Sequence, residues 1–198
     1  MLVRDFMSKK PVTVRPDQSL TAARMLLAKQ RIRQLPVMRR GRLAGIVTDR
    51  DLRAAPAEAR RVEEVMTFTP HVISPVESAD QAARLLRSWK VNALPVVDDG
   101  KLVGIVSTSD VLDAFISISG IAEPSYHILV KTPAGKGMTS RLRALVQSRR
   151  GEIKWLYAGR GRAREAHMRV VCRNVDDLVT SLEAEGFEVV RIVSSMEP

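Results

Sequence analysis

Two stretches decide the fold, "GRLAGIVTDRD" at 41–51 and "GKLVGIVSTSD" at 100–110. Sliding the chain on itself by the 59 residues that separate them aligns "VRDFMSKKPVTVRPDQSL" from 3 with "VEEVMTFTPHVISPVESA" from 62. The same offset aligns "IRQLPVMRRGRLAGIVTDRD" from 32 with "VNALPVVDDGKLVGIVSTSD" from 91, without a gap. About seventeen of roughly fifty paired positions are identical, where chance gives about three. The first 120 residues are a tandem duplication.

Each copy reads in one order. A short amphipathic start ends at Met7 or Met66, and Pro11 or Pro70 leads an extended "VTV" or "HVI". Ser19 or Ser78 stands at an N-cap position, ahead of a helix carrying Ala22, Ala23, Leu26 and Leu27, or Ala82, Ala83, Leu85 and Leu86. The apolar strand "LPVM" or "LPVV" is turned by "RRGR" or "DDGK" into "LAGIV" or "LVGIV", a hairpin whose Gly tolerates positive φ. A last helix begins at Thr48 or Ser107. The unit is β-α-β-β-α, and two copies related by a pseudo-twofold cover the sheet face that one copy leaves bare. "AAPAEAR" at 54–60 links them.

The paired pattern "MxxxP(V/H)xx", "LPV" and "GxLxGIV(T/S)xxD" resembles a tandem cystathionine-β-synthase (CBS) domain pair, or Bateman module, with repeats at 1–57 and 61–117. The Thr/Ser-x-x-Asp spacing by itself fits a capping box that ties off its own helix. It also fits a nucleotide seat, with hydroxyl and helix-start amides for phosphate and a carboxylate for the ribose diol. The resemblance implies the second: Thr48 and Asp51 in one cleft, Ser107 and Asp110 in the other, gripping adenosyl ligands. It also implies that the residues before each "LP" face the clefts, Ile32, Arg33 and Gln34 in one copy and Val91, Asn92 and Ala93 in the other. Ile32 and Val91 would sandwich a purine and Arg33 would meet phosphate. Ala93 offers no donor where the first copy has Gln34, so the clefts are expected to be unequal, the Arg33 and Thr48 site favouring more phosphate.

Charge supports that asymmetry. The formal net charge of +10 divides into +9 over residues 1–60, −3 over 61–120 and +4 over the rest. The same arginines, Arg31, Arg33, Arg39, Arg40 and Arg42, carry an alternative reading as a nucleic-acid backbone surface, although no stacking aromatics lie among them.

After "SISGIAEPS", a linker by its Ser, Gly and Pro, the pattern changes. Strands "YHILVKTPA", "EIKWLYAGRG", "REAHMRVVCRN" and "EVVRIVSS" alternate with helices "MTSRLRALVQSRRG", ended by Gly151, and "VDDLVTSLEAEGF", ended at Gly186. That order, βαββαβ over 125–198, is ferredoxin-like. Behind a CBS pair it resembles an ACT-type regulatory domain, and the three-part chain resembles the acetoin-utilisation protein B family. The resemblance implies an amino-acid effector near the loop after the first strand, here "TPAGKGM" with Gly135 and Gly137; that loop lacks the Asp-Arg-Pro-Gly-like turn of many such domains, and a packing and dimerisation domain is the favoured alternative. The expected class is therefore α+β, a CBS pair followed by an ACT-like domain. Trp155, alternating with Ile153 and Tyr157, is expected in a core or dimer interface.

Several functions are not supported. His71, His127 and His167 are scattered without partners at ligand spacing, so no metal is expected. No "GxSxG", "HExxH" or "GxxxxGK[ST]" occurs, so no enzyme is expected. No stretch is long and apolar enough for a membrane span, the start lacks a secretory pattern, and the single Cys172 lies in the apolar run "MRVVC". A cytoplasmic, homodimeric sensor follows, with no required cofactor, an adenine nucleotide as its regulatory ligand and an unknown regulated partner.

Overall fold

The computed structural model describes residues 1–131, 137–159 and 165–195. The chain divides into two compact units, Met1–Ala114 and Phe115–Pro198.

The first unit opens with α1 (Val3–Phe6) and β1 (Ser8–Lys9), followed by α2 (Leu20–Gln30), β2 (Gln34–Arg39), β3 (Arg42–Thr48) and α3 (Asp49–Arg53). A 3₁₀ turn at Val62–Glu64 leads to β4 (Thr67–Phe68), α4 (Ala79–Ser88), β5 (Ala93–Asp98), β6 (Lys101–Ser107) and α5 (Thr108–Ser119), whose residues from Phe115 onward belong to the second unit. Local chemistry sets these bounds. Ser19 Oγ accepts from the Ala22 amide at 3.1 Å and Ser78 Oγ from the Gln81 amide at 3.3 Å, each capping its helix. Both hairpins turn on two residues at positive φ, Arg40 and Gly41 in one, Asp99 and Gly100 in the other. That geometry matches the right-handed strand twist. The expected strands "VTV" and "HVI" shrink to single parallel bridges, Val14 to Val37 and Ile73 to Val96.

Each copy's sheet is completed by the other copy. β4, from the start of the second repeat, pairs antiparallel with β3 of the first (order β2-β3-β4), and β1 pairs with β6 (order β1-β6-β5). The cores exchange in step. Val62 and Met66 are buried among Leu20, Leu27, Leu35 and Val47, whereas Val3 is buried with Leu86, Leu94, Val96 and Val106. A fully buried valine contributes about 1.5–3 kcal/mol over an exposed one, enough to hold each short leading segment in place. The glycine inside "GIV" makes the crossing possible. A Cβ at Gly45 would lie 2.7 Å from Thr67 O and 2.9 Å from Met66 Sδ, and one at Gly104 would lie 2.5 Å from Met7 Sδ.

The second unit contains β7 (Tyr126–Lys131), α6 (Met138–Ser148), β8 (Glu152–Ala158), β9 (Glu165–Val171), α7 (Val175–Ala184) and β10 (Glu188–Ser194). Its four strands form one antiparallel sheet in the order β10-β7-β9-β8. Ile128, Val130, Ala166, Met168 and Val170 pack on Leu142, Val146, Leu178 and Leu182, so both helices cover one face. Strand alternation turns His127, Leu129, His167 and Arg169 to the other. Burial raises the pKa of Cys172, as befits a thiol packed against this core.

Two boundaries differ from the sequence reading. The "SIS" of the expected linker is the last turn of α5. At the end of α6 the left-handed residue is Arg150 (φ 56°), not Gly151. Gly151 serves close approach instead, since a Cβ there would lie 2.8 Å from Val146 Cγ1. Gly186, at φ 83°, is the expected helix stop. In the loop proposed for an effector, Gly135 lies outside the described residues, and Gly137 (φ 81°) is the N-cap of α6.

Candidate functional site

At the end of β3 the chain runs directly into α3. Thr48 Oγ1 accepts from the Asp51 amide at 3.2 Å, and Asp51 Oδ2 accepts from the Thr48 amide at 2.8 Å and the Thr48 hydroxyl at 2.7 Å. Ser107 and Asp110 repeat this with acceptor contacts of 2.6 Å from both the Ser107 amide and hydroxyl. Both hydroxyl and acid pairs are capping boxes. The cap uses one oxygen of each carboxylate. Asp51 Oδ1 has no hydrogen-bond partner among the described residues and retains two lone pairs.

The rest of the first helical turn is less open than the sequence suggests. The Asp49 amide donates to Arg33 O at 2.9 Å and the Thr108 amide to Asn92 O at 3.0 Å. Of the amides at Asp49, Arg50 and Asp51, this leaves the Arg50 amide for a ligand.

A cleft of about 640 Å³ opens in front of Thr48 and Asp51. It brings together Arg33, Gln34, Thr48 and Asp51 of the first repeat with Val91, Asn92 and Ala93 of the second. That pairing corrects the sequence reading, which kept each copy's residues with its own hydroxyl and acid. The cause is the pseudo-twofold, which places the segment before each "LP" against its counterpart. Ile32 is not in the cleft wall but packs on the first repeat's core. Ser107 and Asp110 lie outside this cleft. A smaller hollow of about 350 Å³ beside Val91 and Asn92 reaches Thr108 and Val111 but neither of them.

Four cations reach the cleft, Arg33, Arg50, Arg53 and Lys90. Arg53 is paired with Asp49 at 2.9 Å. Arg33, Arg50 and Lys90 make no ion pair among the described residues. Uncompensated cations that converge on a concave wall attract an anion. His71 also lines the cleft and stacks on Trp89 with centroids 4.0 Å apart and planes at 10°. Arg50, Lys90 and His71 were not singled out from sequence. Lys90 had one usable signal, its place just before Val91 at a helix end, where it adopts φ 53° as Arg31 does in the other copy.

The CBS-domain family model matches residues 3–58 and 62–117. The chain belongs to the CBS-domain family. Among curated relatives, inosine-5'-monophosphate dehydrogenase of Mycobacterium leprae (strain TN) is 39% identical over an alignment of 140 residues that covers 69% of this chain. The match spans only 26% of that enzyme's length. Among solved structures, CBSX2 of Arabidopsis thaliana in complex with AMP is 34% identical with TM-score 0.56, over 59% of this chain and 97% of that one. The CBS pair of MJ0100, in complex with 5'-methylthioadenosine and S-adenosyl-L-methionine, is 33% identical with TM-score 0.56 over 59% and 97%. A Vibrio cholerae protein named for acetoin utilization (AcuB) is 29% identical with TM-score 0.57 over 62% and 96%.

Among the described residues no helix is long and apolar enough to cross a membrane, and no three metal-ligating side chains converge.

Proposed function

We propose that this CBS pair is a non-catalytic sensor, with repeats at 1–57 and 61–117, that binds an adenine nucleotide and passes its state to the C-terminal domain at 125–198 or to a partner protein. One observation carries the reading. In a single cleft, a carboxylate with an unbonded oxygen shares the wall with three cations that make no ion pair among the described residues. Asp51 Oδ1 accepts the ribose hydroxyls, Val91 lies against the purine, and Arg33, Arg50 and Lys90 take the phosphates. The relatives crystallised with AMP and with S-adenosyl-L-methionine support the adenosyl class.

Capping and ligand binding are compatible at Asp51 but compete at Thr48. The hydroxyl's one proton goes to Asp51 Oδ2, so Thr48 donates to a phosphate only by rotating away from the cap. Phosphate would thereby loosen the first turn of α3, which gives the ligand a differential hold on two arrangements of the pair. The Ser107 and Asp110 seat is the second, unequal site; Asn92 and Ala93, which the sequence reading placed there, line the Thr48 and Asp51 cleft instead.

The C-terminal sheet order and its two helices on one face support a ferredoxin-like, ACT-type domain, and the likeness to AcuB, which covers 62% of this chain, supports that family for the covered part. A homodimer is supported by two exposed apolar features. Leu112, Phe115 and Ile118 recur every three residues along α5, and edge strand β10 exposes Val190, Ile192 and Val193.

Calorimetry on ligand-stripped protein tests the reading. Micromolar heats with AMP, ADP or ATP are expected. No heat with any adenosine derivative at millimolar dose, together with retention of a nucleic-acid probe at moderate salt that weakens steeply as salt rises further, would transfer the function to the basic surface of the first repeat.

A further inference from the structure

We propose, building on the nucleotide reading of the Thr48 and Asp51 cleft, that His71 held by Trp89 is a stacking plate that lets this seat select its ligand by the base, whereas the second seat has no such plate. His71 is an exposed residue of the cleft wall, and its imidazole lies nearly flat on the Trp89 indole, with centroids 4.0 Å apart and planes at 10°. The imidazole makes no hydrogen bond among the described residues, so the stack is what orients it. Trp89 is exposed too, yet it is not part of the cleft wall. It backs the imidazole from outside and leaves the opposite ring face to the cleft. Trp89 is thus a positioning residue, acting through His71.

The backbone fixes the plate from both sides. His71 follows Thr69 and Pro70, and the φ of 48° at Thr69 is strained for a β-branched residue. Such strain persists where the surroundings over-determine it, and it gathers at ligand clamps. Ahead of the bend Thr67 pairs with Ile46 on β3, and beyond it the Ile73 amide donates to Pro95 O at 3.1 Å. Trp89 is the C-cap of α4, its amide donating to Leu85 O at 3.0 Å, and Lys90 turns at φ 53° ahead of Val91 in the same cleft wall. The bend is common to both repeats, since Lys10 takes φ 54° at the equivalent place. The rings are not. At the 59-residue offset His71 corresponds to Val12 and Trp89 to Gln30, and Val12 packs on the first repeat's core. Arg33, Arg50 and Lys90 serve phosphate, which every nucleotide carries, so they cannot tell one base from another. A ring stacked on one face and free on the other can, because stacking grows with the area of the base, and a purine gains more than a pyrimidine.

The test uses the full chain carrying Trp155→Phe, which leaves Trp89 as the sole tryptophan. AMP is expected to change Trp89 emission saturably, and ribose 5-phosphate, which lacks a base, to leave it unchanged. By calorimetry AMP should bind more tightly than CMP. His71→Ala should weaken AMP by roughly 5- to 100-fold and narrow that preference. His71→Phe, which keeps an aromatic plate, should retain it. Trp89→Leu should narrow it as well, a change in base selectivity that a merely structural role for Trp89 would not produce. Should Trp89→Leu fail to fold, the variants at exposed His71 still decide. AMP binding to His71→Ala with the parent's Kd, a loss in His71→Phe as large as in His71→Ala, or AMP binding that leaves Trp89 emission unchanged would overturn the proposal and leave the nucleotide cleft standing. No binding of AMP, CMP or ATP to the parent would overturn both.

Discussion

Replacing Asp51 by alanine separates the two duties of that side chain. Its Oδ2 holds the Thr48 amide and hydroxyl at 2.8 and 2.7 Å, so the variant loses a cap. Loss of a helix cap costs about 1 kcal/mol, or a melting shift of roughly 2–4 °C for a domain of this size. The nucleotide would lose more. Each hydrogen bond between a ribose hydroxyl and an ionised carboxylate is worth about 1.5–3 kcal/mol, so losing even one raises Kd by roughly 10- to 100-fold. Asp110→Ala removes a cap of the same geometry and is the matched control. Calorimetry with AMP, ADP and ATP, beside melting with and without ligand, reads both quantities. The expected result is a small, similar loss of stability in the two variants and a large, unequal loss of affinity that depends on phosphate number. If Asp51→Ala melts lower yet binds all three nucleotides as the parent does, Asp51 is only a cap and the cleft assignment fails.

Other perturbations probe the remaining steps. Lys90→Ala and Arg33→Ala should each weaken ATP more than AMP, and the difference should shrink as salt rises, measured by calorimetry at two ionic strengths. Gly104→Ala places a methyl against Met7 Sδ and Ser8 O, so a loss of about 1–3 kcal/mol is expected by denaturant melting. Val3→Ala should lower hydrogen-exchange protection in β5 and β6 before β2 and β3, because Val3 is buried in the second repeat's core. His127 has its pKa held below the usual 6.5 by burial, so the unfolded chain binds the extra proton first. The stabilising contribution is complete above pH 6.5 and is lost as pH falls below it. His127→Asn should flatten that part of a stability profile taken between pH 7.5 and 5.

Much of this fold can be read along the chain because its signals are local. Ser19 and Ser78 act as caps, and Arg40-Gly41 and Asp99-Gly100 as tight turns, since a cap or a two-residue hairpin depends on a few neighbouring residues. The exchange of β1 and β4 is not local. A two-residue strand such as Ser8–Lys9 has the same propensity beside β3 as beside β6, and only the path of the chain selects between them. The cleft was half legible for the same reason. Thr48, Asp51, Arg33 and Gln34 follow from one copy's motif, whereas Val91, Asn92, Ala93 and Lys90 join them through the pseudo-twofold. Arg150 and Gly151 show a finer limit. A glycine after a helix signals either a left-handed turn or a tight approach, and only packing against Val146 tells which.

The crossed leading segments make the two repeats co-dependent in a way their separate cores do not suggest. A nick within 54–60 would yield two fragments, each missing the element that completes its own core and holding the one the other needs, a natural split protein able to reassemble by complementation. A repeat expressed alone could finish its sheet only by borrowing that segment from a second molecule, so the duplicated halves are bound to be inherited, folded and lost together.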